Sequence, residues 1–285
     1  MDNLILVDSS YTSFYRFFAT LRWFSFANKE EYKELKGNAE YDWSKNEIFI
    51  EKYKKMYLES IIKLVGKKVY KSSKVIFCLD TPKELLWRSK LVENYKGERA
   101  DLSLKNNFGT TFKLTYNELI PQLIKENPDK ITSIRVPEIE ADDVIALTVK
   151  YVRNKNYDLD VLLISGDEDF KQLGYDRLSF LDYKKNKKPI QLTEDEAYES
   201  LLNKIICGDS SDNIKCIFPK DRKLVSNKLR KKVKESEEEL ERYLNDNPES
   251  LKKFNLNRKL IDFEYIPKKY HSKVFKLVKK FLSNK

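Results

Sequence analysis

DVLLISGDED, residues 160–169, contains the clearest indication of the fold. Its first five residues form a short, mostly apolar run, which is typical of a strand buried on both faces of a parallel sheet. Asp167 and Asp169 follow where this strand ends, and Gly166 permits the unusual backbone angle of a tight turn between them and the strand. Ligands of open α/β sheets bind beyond the carboxyl ends of the strands. The stretch therefore predicts a sheet edge that carries carboxylates.

The same pattern of apolar run and acid occurs three more times along the chain. Strands are predicted at 4–7, 74–79 and 131–136, and a further strand without a following acid cluster at 178–181. The acids that follow the three earlier strands are Asp8, Asp80 and the group Glu138, Glu140, Asp142 and Asp143.

Helices are predicted between these strands. Thr193 and Glu196 form a capping box that opens a helix ending near Cys207, and the chain beyond it is expected to be helical and basic. The other predicted helices lie at 15–20, with Ser9 and Ser10 as N-caps, and at 49–65, 114–126 and 141–153, whereas residues 28–50 are predicted to be a loop insertion. Strands that alternate with helices predict an α/β fold with a mostly parallel central sheet flanked by helices. We place the α/β core at 1–192 and a mainly helical C-terminal region at 193–285.

The net charge of +10 is unevenly distributed. Residues 214–285 contain 21 Lys and Arg against 10 Asp and Glu, whereas the rest of the chain is nearly neutral. A basic region beside an acidic site is what an enzyme would need to bind a polyanion and cut it with the help of metal ions. A solvated, lysine-rich surface is the alternative explanation.

Two absences in the sequence limit the function classes. Three unpaired cysteines and the single His271 leave neither a zinc motif nor a histidine positioned for acid–base catalysis, so a reduced intracellular protein is expected. Asp2 and Asp8 interrupt the apolar start, which excludes a signal peptide there, and no apolar run approaches the length of a membrane span. The sequence predicts a soluble, cytoplasmic protein.

The acids at the strand ends indicate a metal site. A single acid after a strand is usually a helix cap, but four strand ends and a fifth acidic loop, GDSSDNI at 208–214, require cations to offset like charges. Oxygen ligands without His or Cys favour Mg²⁺ or Mn²⁺. Glu140 and Asp143 share a helix face, and Asp142 points elsewhere. Two ions about 4 Å apart would stabilise the attacking and leaving oxygens of a phosphodiester displacement.

Three motifs, EIEADDVIAL at 138–147, LISGDEDFKQL at 163–173 and GDSSDNI, together resemble the 5′-nuclease superfamily, which includes flap endonucleases and the 5′-nuclease domains of bacterial DNA polymerases. The likeness extends to LVDSSY at 6–11, FCLDTPKELLWRSKLVENYKGER at 77–99 and NRKLIDFEYIP at 257–267. That last segment and the length are most similar to the T-even phage ribonuclease H branch.

The resemblance implies two groups of metal ligands. The first Mg²⁺ would be bound by Asp8, Asp80, Glu140, Asp142 and Asp167. The second, more open site would use Asp169, Asp209 and Asp212, partly through water, and Mn²⁺ would substitute for Mg²⁺ at both. Asp143 matches an additional acid that assists the ligands, and Asp142 is also expected to be catalytic. Glu138 is left out because the key Glu of the T-even branch directly precedes Ala-Asp-Asp.

The family has a helical gateway over the active site, which in this chain corresponds to residues of about 83–125. Its Lys and Arg contact the scissile phosphate, so the resemblance implies that Arg88 and Lys96 are catalytic, with Arg99 as a third nucleic-acid contact. Cations at these positions would stabilise charge developing on the phosphoryl group. An exposed amphipathic helix is the alternative for this segment.

The segment after GDSSDNI departs from the family because it lacks the glycine-rich turn that contacts duplex DNA; no glycine follows Gly208. We therefore predict no bound monovalent ion there, and expect contacts between side chains and phosphates instead. The predicted contacts are Lys220, Arg222, Lys223, Lys228, Arg230, Lys231 and Lys232. The apolar stripe of the last helix, from Tyr270 to Leu282, is predicted to pack on the core, with partner docking as the alternative.

Together these features predict a Mg²⁺-dependent 5′ to 3′ exonuclease and flap endonuclease that acts on RNA or DNA annealed to DNA and removes lagging-strand RNA primers in phage replication. The expected partners are branched or nicked duplex DNA and RNA–DNA hybrid, with single-strand-binding protein and the sliding clamp as candidate protein partners of a monomer. Two alternatives stay open. One is a toxin-type single-strand ribonuclease, and the other is a non-catalytic, structure-specific DNA-binding protein.

Overall fold

A five-stranded parallel sheet forms the centre of the protein in the computed structural model, which describes residues 2–93, 95–97, 107–155, 157–185, 188–219 and 227–283. The strands are β1 Asn3–Asp8, β2 Ser73–Cys78, β3 Ile131–Ile134, β4 Asp160–Ile164 and β5 Leu178–Leu181. Their order is β3-β2-β1-β4-β5, and each neighbouring pair is parallel. All five predicted strands and the predicted parallel sheet are confirmed.

Helices cover both faces of the sheet. They are α1 Ser9–Ala27, α2 Lys29–Leu35, α3 Glu47–Val65, α4 Lys67–Lys71, α5 Phe108–Leu114, α6 Ile120–Glu126, α7 Ala141–Asn154, α8 Glu194–Cys207, α9 Asn227–Glu235, α10 Glu237–Asp246, α11 Pro248–Ile261 and α12 Lys268–Ser283. A π-helical turn at Thr115–Leu119 joins α5 to α6. Within the described ranges no helix is both long and apolar enough to span a bilayer.

Alternate residues of β1 enter two separate hydrophobic cores, as the period of two of a strand requires. Leu4 and Leu6 pack with α7 and α12 on one face, whereas Ile5 and Val7 pack with α1 and α3 on the other. The stripe of α12, including the fully buried Tyr270 and Val274, belongs to the first core. The predicted packing of the last helix on the core is confirmed, and this part of the C-terminal region shares its core with the sheet.

Two local predictions are wrong. Residues 28–50 are not simply a loop, because α2, a short helical turn at Trp43–Lys45 and the start of α3 all lie there. The helix after β1 is capped by Asp8 rather than by Ser9 or Ser10, since the Asp8 carboxylate accepts a hydrogen bond from the Tyr11 N–H and α1 begins at Ser9.

The start of the predicted gateway is also not a regular helix. Residues Lys83–Leu85 and Arg88–Lys90 form single helical turns, and Leu86 and Trp87 between them are buried. The rest of the predicted gateway, to about residue 125, includes residues 94 and 98–106, which lie outside the described ones, and then the helices α5 and α6.

The order of the strands indicates where in the fold a ligand site lies. β1 pairs with β2 on one side and with β4 on the other, although β2 and β3 precede β4 in the chain. The winding direction therefore reverses between β1 and β4, and a crevice for ligands lies beyond the carboxyl ends of strands at such a point. Asp8 ends β1, and Asp167 follows β4 by three residues.

Candidate active site

Asp8 lies at the centre of the acid cluster. Its Oδ1 accepts the Tyr11 N–H at 3.0 Å, and its Oδ2 accepts the Ser165 hydroxyl at 2.8 Å. Since Ser165 directly follows β4, this second hydrogen bond connects the ends of β1 and β4. Burial, and then the charges of Asp80 and Asp167, raise the pKa of Asp8 from 3.8 to about 7.

Asp80 connects the end of β2 to the other acid-bearing loops. Its Oδ1 accepts the N–H of Ala141, the first residue of α7, at 2.8 Å, and its Oδ2 accepts the Ser10 hydroxyl at 2.5 Å. The carboxylate thus satisfies one of the N–H groups that a helix N-terminus leaves free. The loops after β1, β2 and β3 meet at this side chain.

Asp142 faces the other acids of the first group. Burial, and then the charges of Glu140, Asp167 and Asp8, raise its pKa well above the ordinary value, and Lys96 acts in the opposite direction. The pKa of Asp167 is also raised, mainly by burial. Charge interactions therefore connect the five predicted ligands of the first ion, because Asp142 interacts with Glu140, Asp167 and Asp8, and Asp8 interacts with Asp80.

Arg88 and Asp143 require a correction. Arg88 is 2% exposed, and its guanidinium binds Asp143 through both terminal nitrogens, at 2.8 and 2.9 Å, and Glu140 at 3.1 Å. Asp143 is fully buried and also accepts the Trp87 indole N–H at 2.9 Å. Arg88 is therefore not available to a phosphate, and Asp143 is not available to a metal ion. Charged groups that are buried in this way are stable only when they are closely paired and hydrogen-bonded to each other.

Lys96 lies between the two predicted groups of ligands. Its ammonium pairs with Glu140 from the first group and, at 3.7 Å, with Asp212 from the second. The Tyr95 hydroxyl lies near the same two carboxylates, 3.1 Å from Glu140 and 3.2 Å from Asp212. Lys96 has a positive φ of 56°, and its N–H donates to the Asp212 carbonyl at 3.1 Å, so the backbone also fixes its position.

Lys204, which is not among the residues predicted from the sequence, pairs with the other two acids of the second group. Its ammonium contacts Asp169 and lies 2.9 Å from Asp209 Oδ2. Burial would raise the pKa of Asp209, but Lys204 and Ser211 together lower it to about 2. A lysine in the last turn of a helix that leads into an acidic loop is the signal that could have identified Lys204, because cations are favourable at helix C-termini.

The loop GDSSDNI is closed by two backbone hydrogen bonds. The Asp209 N–H donates to the Ile214 carbonyl at 2.9 Å, and the Ile214 N–H donates to the Asp209 carbonyl at 2.7 Å. Gly208 begins the loop with φ of +72°, and a Cβ at this position would lie 2.4 Å from the Ile214 carbonyl oxygen. Only glycine fits such a conformation and such a contact.

The donor set suits divalent metal ions. All the converging acids offer carboxylate oxygens, which are the ligands of Mg²⁺ and Mn²⁺. Among the described residues no three acidic, His or Cys side chains form a ready coordination sphere. Instead, the ammonium groups of Lys96 and Lys204 lie between the carboxylates, and each marks a position where this cluster accommodates positive charge.

The predicted nucleic-acid contacts are only partly described. Arg99, Lys220, Arg222 and Lys223 lie outside the described residues, as does the side chain of Lys228. Arg230 is half-buried on α9, where it donates to the Pro219 carbonyl at 2.8 Å and lies over the Phe218 ring. Lys231 and Lys232 are exposed on the same helix.

Comparison with known proteins gives one family. Residues 3–202 match the family model described as the 5′-3′ exonuclease, N-terminal resolvase-like domain. Ribonuclease H of Enterobacteria phage T4 is 26% identical over 147 residues, which make up 50% of this chain and 46% of that protein. The aligned part thus spans about half the length of this curated relative.

Solved structures show the same fold. A bacteriophage T5 flap endonuclease, crystallised as a complex with DNA and metal ions, matches with a TM-score of 0.60 and 17% identity over 98% of each chain. The T5 5′-exonuclease with bound zinc matches with a TM-score of 0.58 and 17% identity over 98% of this chain and 99% of that one.

Proposed function

Because this chain belongs to the 5′–3′ exonuclease family, we propose that it is a Mg²⁺-dependent 5′-nuclease, with 5′ to 3′ exonuclease and flap endonuclease activity on RNA or DNA annealed to DNA. The observation that carries the proposal is the convergence of carboxylates from four strand ends and one loop. A protein that only bound DNA would gain nothing from holding these like charges together.

The acids would bind two ions. One group comprises Asp8, Asp80, Glu140, Asp142 and Asp167, and the other comprises Asp169, Asp209 and Asp212. When bound, Mg²⁺ would supply a water of lowered pKa and stabilise charge on the attacking and leaving oxygens. The charge interactions of Asp142 and Asp167 with Asp8 support the first group, and the shared Lys204 supports the second.

Lys96 would act on the scissile phosphate. Its ammonium is held near Glu140 and Asp212, and the Lys96 side chain remains 11% exposed, so a phosphate entering between the two ligand groups would meet it. A fixed cation at this place stabilises the negative charge that develops on the phosphoryl oxygens. Arg88 would act through Glu140 by fixing the orientation of that carboxylate.

The basic C-terminal region, 193–285, would bind the duplex next to the cut. Lys231 and Lys232 on α9 present exposed charges that suit phosphate contacts, which position DNA without reading its sequence. We propose that the cellular role of this protein is the removal of lagging-strand RNA primers in phage replication, which takes place in the host cytoplasm. Single-strand-binding protein or the sliding clamp would be its protein partners. The relative named ribonuclease H supports this setting.

The test is a time course on nicked, flapped and RNA-primed duplexes, labelled at the 5′ end, with Mg²⁺ and with EDTA. We expect short 5′ products from all three substrates with Mg²⁺ and none with EDTA. Asp142→Asn and Asp167→Asn should abolish cleavage while retaining the fold, by circular dichroism, and duplex binding.

The outcomes separate the alternatives. Wild-type rates in both variants would contradict the proposal. Cleavage of free single-stranded RNA alone would favour a single-strand ribonuclease, and binding without cleavage in either Mg²⁺ or Mn²⁺ would favour a DNA-binding protein.

A further inference from the structure

The end of α11 and the turn after it, residues 257–263, make hydrogen bonds to both sides of the Asp209 loop, to Arg88 and to Gln172 in the turn of Asp169. We name these residues the anchor segment. They contain no proposed metal ligand and no proposed phosphate contact. Each contact is a hydrogen bond between a polar group of the segment and an acid-bearing loop or its direct support, and the three contacts are made by Asn257, Leu260 and the pair Ile261 and Phe263.

Asn257 contacts the loop of Asp209 and Asp212. Its side chain is 3% exposed, and its amide nitrogen donates to the carbonyl of Ile205 and to that of Lys215, both at 2.8 Å. Ile205 lies in the last turn of α8, before the loop, and Lys215 directly follows it. One amide group therefore joins the chain entering the loop to the chain leaving it.

Leu260 contacts the support of Glu140. Its carbonyl accepts the Nε–H of Arg88 at 2.8 Å, and the same guanidinium binds Glu140 and Asp143. The three groups that surround Arg88 thus come from α11, from the residue before α7 and from α7 itself. The orientation of Glu140 depends on the helix end that holds Arg88 from the other side.

Gln172 joins the anchor segment to the loop of Asp169. Its amide nitrogen donates to the Ile261 carbonyl at 3.1 Å and to the Asp169 carbonyl at 3.0 Å. Its amide oxygen accepts the Phe263 N–H at 3.0 Å. These three hydrogen bonds of the Gln172 side chain join the anchor segment to the turn that carries Asp169.

The helix end explains why these contacts form here. The last four carbonyls of a helix have no partner within the helix, and the negative end of its dipole favours a cation. Within α11, the Arg258 carbonyl is taken by the Asp262 N–H, whereas the Leu260 and Ile261 carbonyls accept from Arg88 and Gln172. The carbonyls at the end of this helix thereby hold Arg88, which binds Glu140 and Asp143, and Gln172, which binds the Asp169 carbonyl.

We propose that the anchor segment is a positioning element for the metal ligands, and that Asn257 and Gln172 are positioning residues for the second group of acids. The inference rests on the proposed function, because it assumes that these acids bind metal ions. Loss of one amide contact should loosen one loop and leave the acids at the ends of β1 and β2 in place, since those are held by Ser165, Ser10 and Ala141.

The test measures Mn²⁺ binding to the full chain by titration calorimetry, together with hydrogen exchange of the loop amides. In Asn257→Asp a carboxylate replaces the amide donor and faces the carbonyls of Ile205 and Lys215. The second group of acids forms the more open and therefore the weaker Mn²⁺ site, and we expect that site to lose affinity about tenfold or more, the usual effect of removing a group that orients a ligand. The tighter site should change less than about twofold, and the amides of Asp209 and Ile214 should exchange faster.

Asn255→Asp is the matched control, because it makes the same change at an exposed position of the same helix, and it should leave both sites unchanged. Gln172→Glu should weaken the same Mn²⁺ site by loosening Asp169 instead. If Asn257→Asp does not fold, Asn257→Ser removes the amide without burying a charge.

Equal weakening of both Mn²⁺ sites, or no change at either in the folded variants, would overturn the inference. A wild-type protein that binds Mn²⁺ but cleaves no substrate would contradict the proposed function alone, because the Mn²⁺ and exchange measurements do not depend on cleavage.

Discussion

Lys204 and Asp209 form an ion pair across the start of the GDSSDNI loop, with the ammonium nitrogen 2.9 Å from Asp209 Oδ2. The same ammonium contacts Asp169, so one lysine neutralises two acids of the second group. Under the proposed function, a divalent ion bound by these acids would take the position that this ammonium holds. The opposing carboxylates would otherwise repel each other.

Replacement of Lys204 by Met should therefore destabilise the metal-free protein and strengthen its response to Mg²⁺. Lys204 and Ser211 together lower the pKa of Asp209 from 3.8 to about 2. Each pKa unit corresponds to about 1.4 kcal/mol, and Asp209 is partly open to solvent, which screens the ion pair, so removal of the ammonium alone should cost about 1 kcal/mol in EDTA. Thermal unfolding with EDTA and with Mg²⁺ measures this, with Lys171→Met, which removes an exposed pair with Glu168, as the control. Equal stabilisation of wild type and Lys204→Met by Mg²⁺ would show that lysine and metal do not compete.

The raised pKa of Asp8, about 7 against an ordinary 3.8, predicts an unusual pH dependence. The folded protein binds the Asp8 proton more tightly than the unfolded chain does, so this group adds stability at pH values below 4 that is lost as the pH rises through 7. In EDTA, stability should fall across that window with a slope of up to about 1.4 kcal/mol per pH unit from this group. Asp142 and Asp167, whose pKa values are also raised, act in the same direction.

Urea unfolding of the wild type and of Asp8→Asn between pH 5 and 8, in about 1-unit steps, measures this dependence. The variant should have a flatter profile and be the more stable protein at the upper end. A wild-type profile that rises with pH in EDTA would contradict the assignment.

Arg88 should be essential for stability rather than for DNA contact. Arg88→Met leaves Asp143 buried without its partner, and breaking a buried pair in this way costs about 3–5 kcal/mol. Arg88→Lys should recover part of the loss, since it restores the charge but not the two-nitrogen geometry. Unfolding in urea measures both variants. Unchanged stability together with weaker duplex binding would instead indicate a phosphate contact.

Gly208→Ala should distort the loop that carries Asp209 and Asp212. The new Cβ would lie 2.4 Å from the Ile214 carbonyl oxygen at a φ of +72°, so a loss of about 1–3 kcal/mol in the free energy of unfolding is expected. Gly109→Ala is the control, because a Cβ there meets no atom within 4 Å and lies inside α5. That variant should be as stable as the wild type or slightly more stable, since alanine is the better helix former.

Lys96→Met should slow cleavage at saturating substrate about 10²–10³-fold, the usual effect of losing one group that stabilises transition-state charge. Duplex affinity should change little, because Lys96 is mostly buried against Glu140 and Asp212. Single-turnover rates and binding isotherms separate the two effects. Lys90→Met, at an exposed residue that pairs with Glu138, should behave as the wild type, and equal losses in both variants would contradict the role of Lys96.

The sheet and the positions of the acids follow from local patterns in the amino-acid sequence. The apolar runs of β1, β2 and β4 are short, contiguous signals, and parallel strands place their carboxyl ends at one edge, so Asp8, Asp80 and Asp167 converge without further information. The helix face shared by Glu140 and Asp143 was also readable from their spacing, and the structure confirms it through their common partner.

The contacts of the polar side chains, in contrast, depend on how the chain folds in three dimensions. Arg88 looks like any basic residue of an exposed segment, but its partners at Glu140 and Leu260 lie 52 and 172 residues away, and they make it a buried support. Asn257 and Lys204 likewise belong to helices whose periodicity indicates only which face is apolar. The physical reason is that a hydrogen bond or ion pair depends on distance and direction in space, which local patterns do not encode, whereas burial of apolar residues imposes a period along the chain.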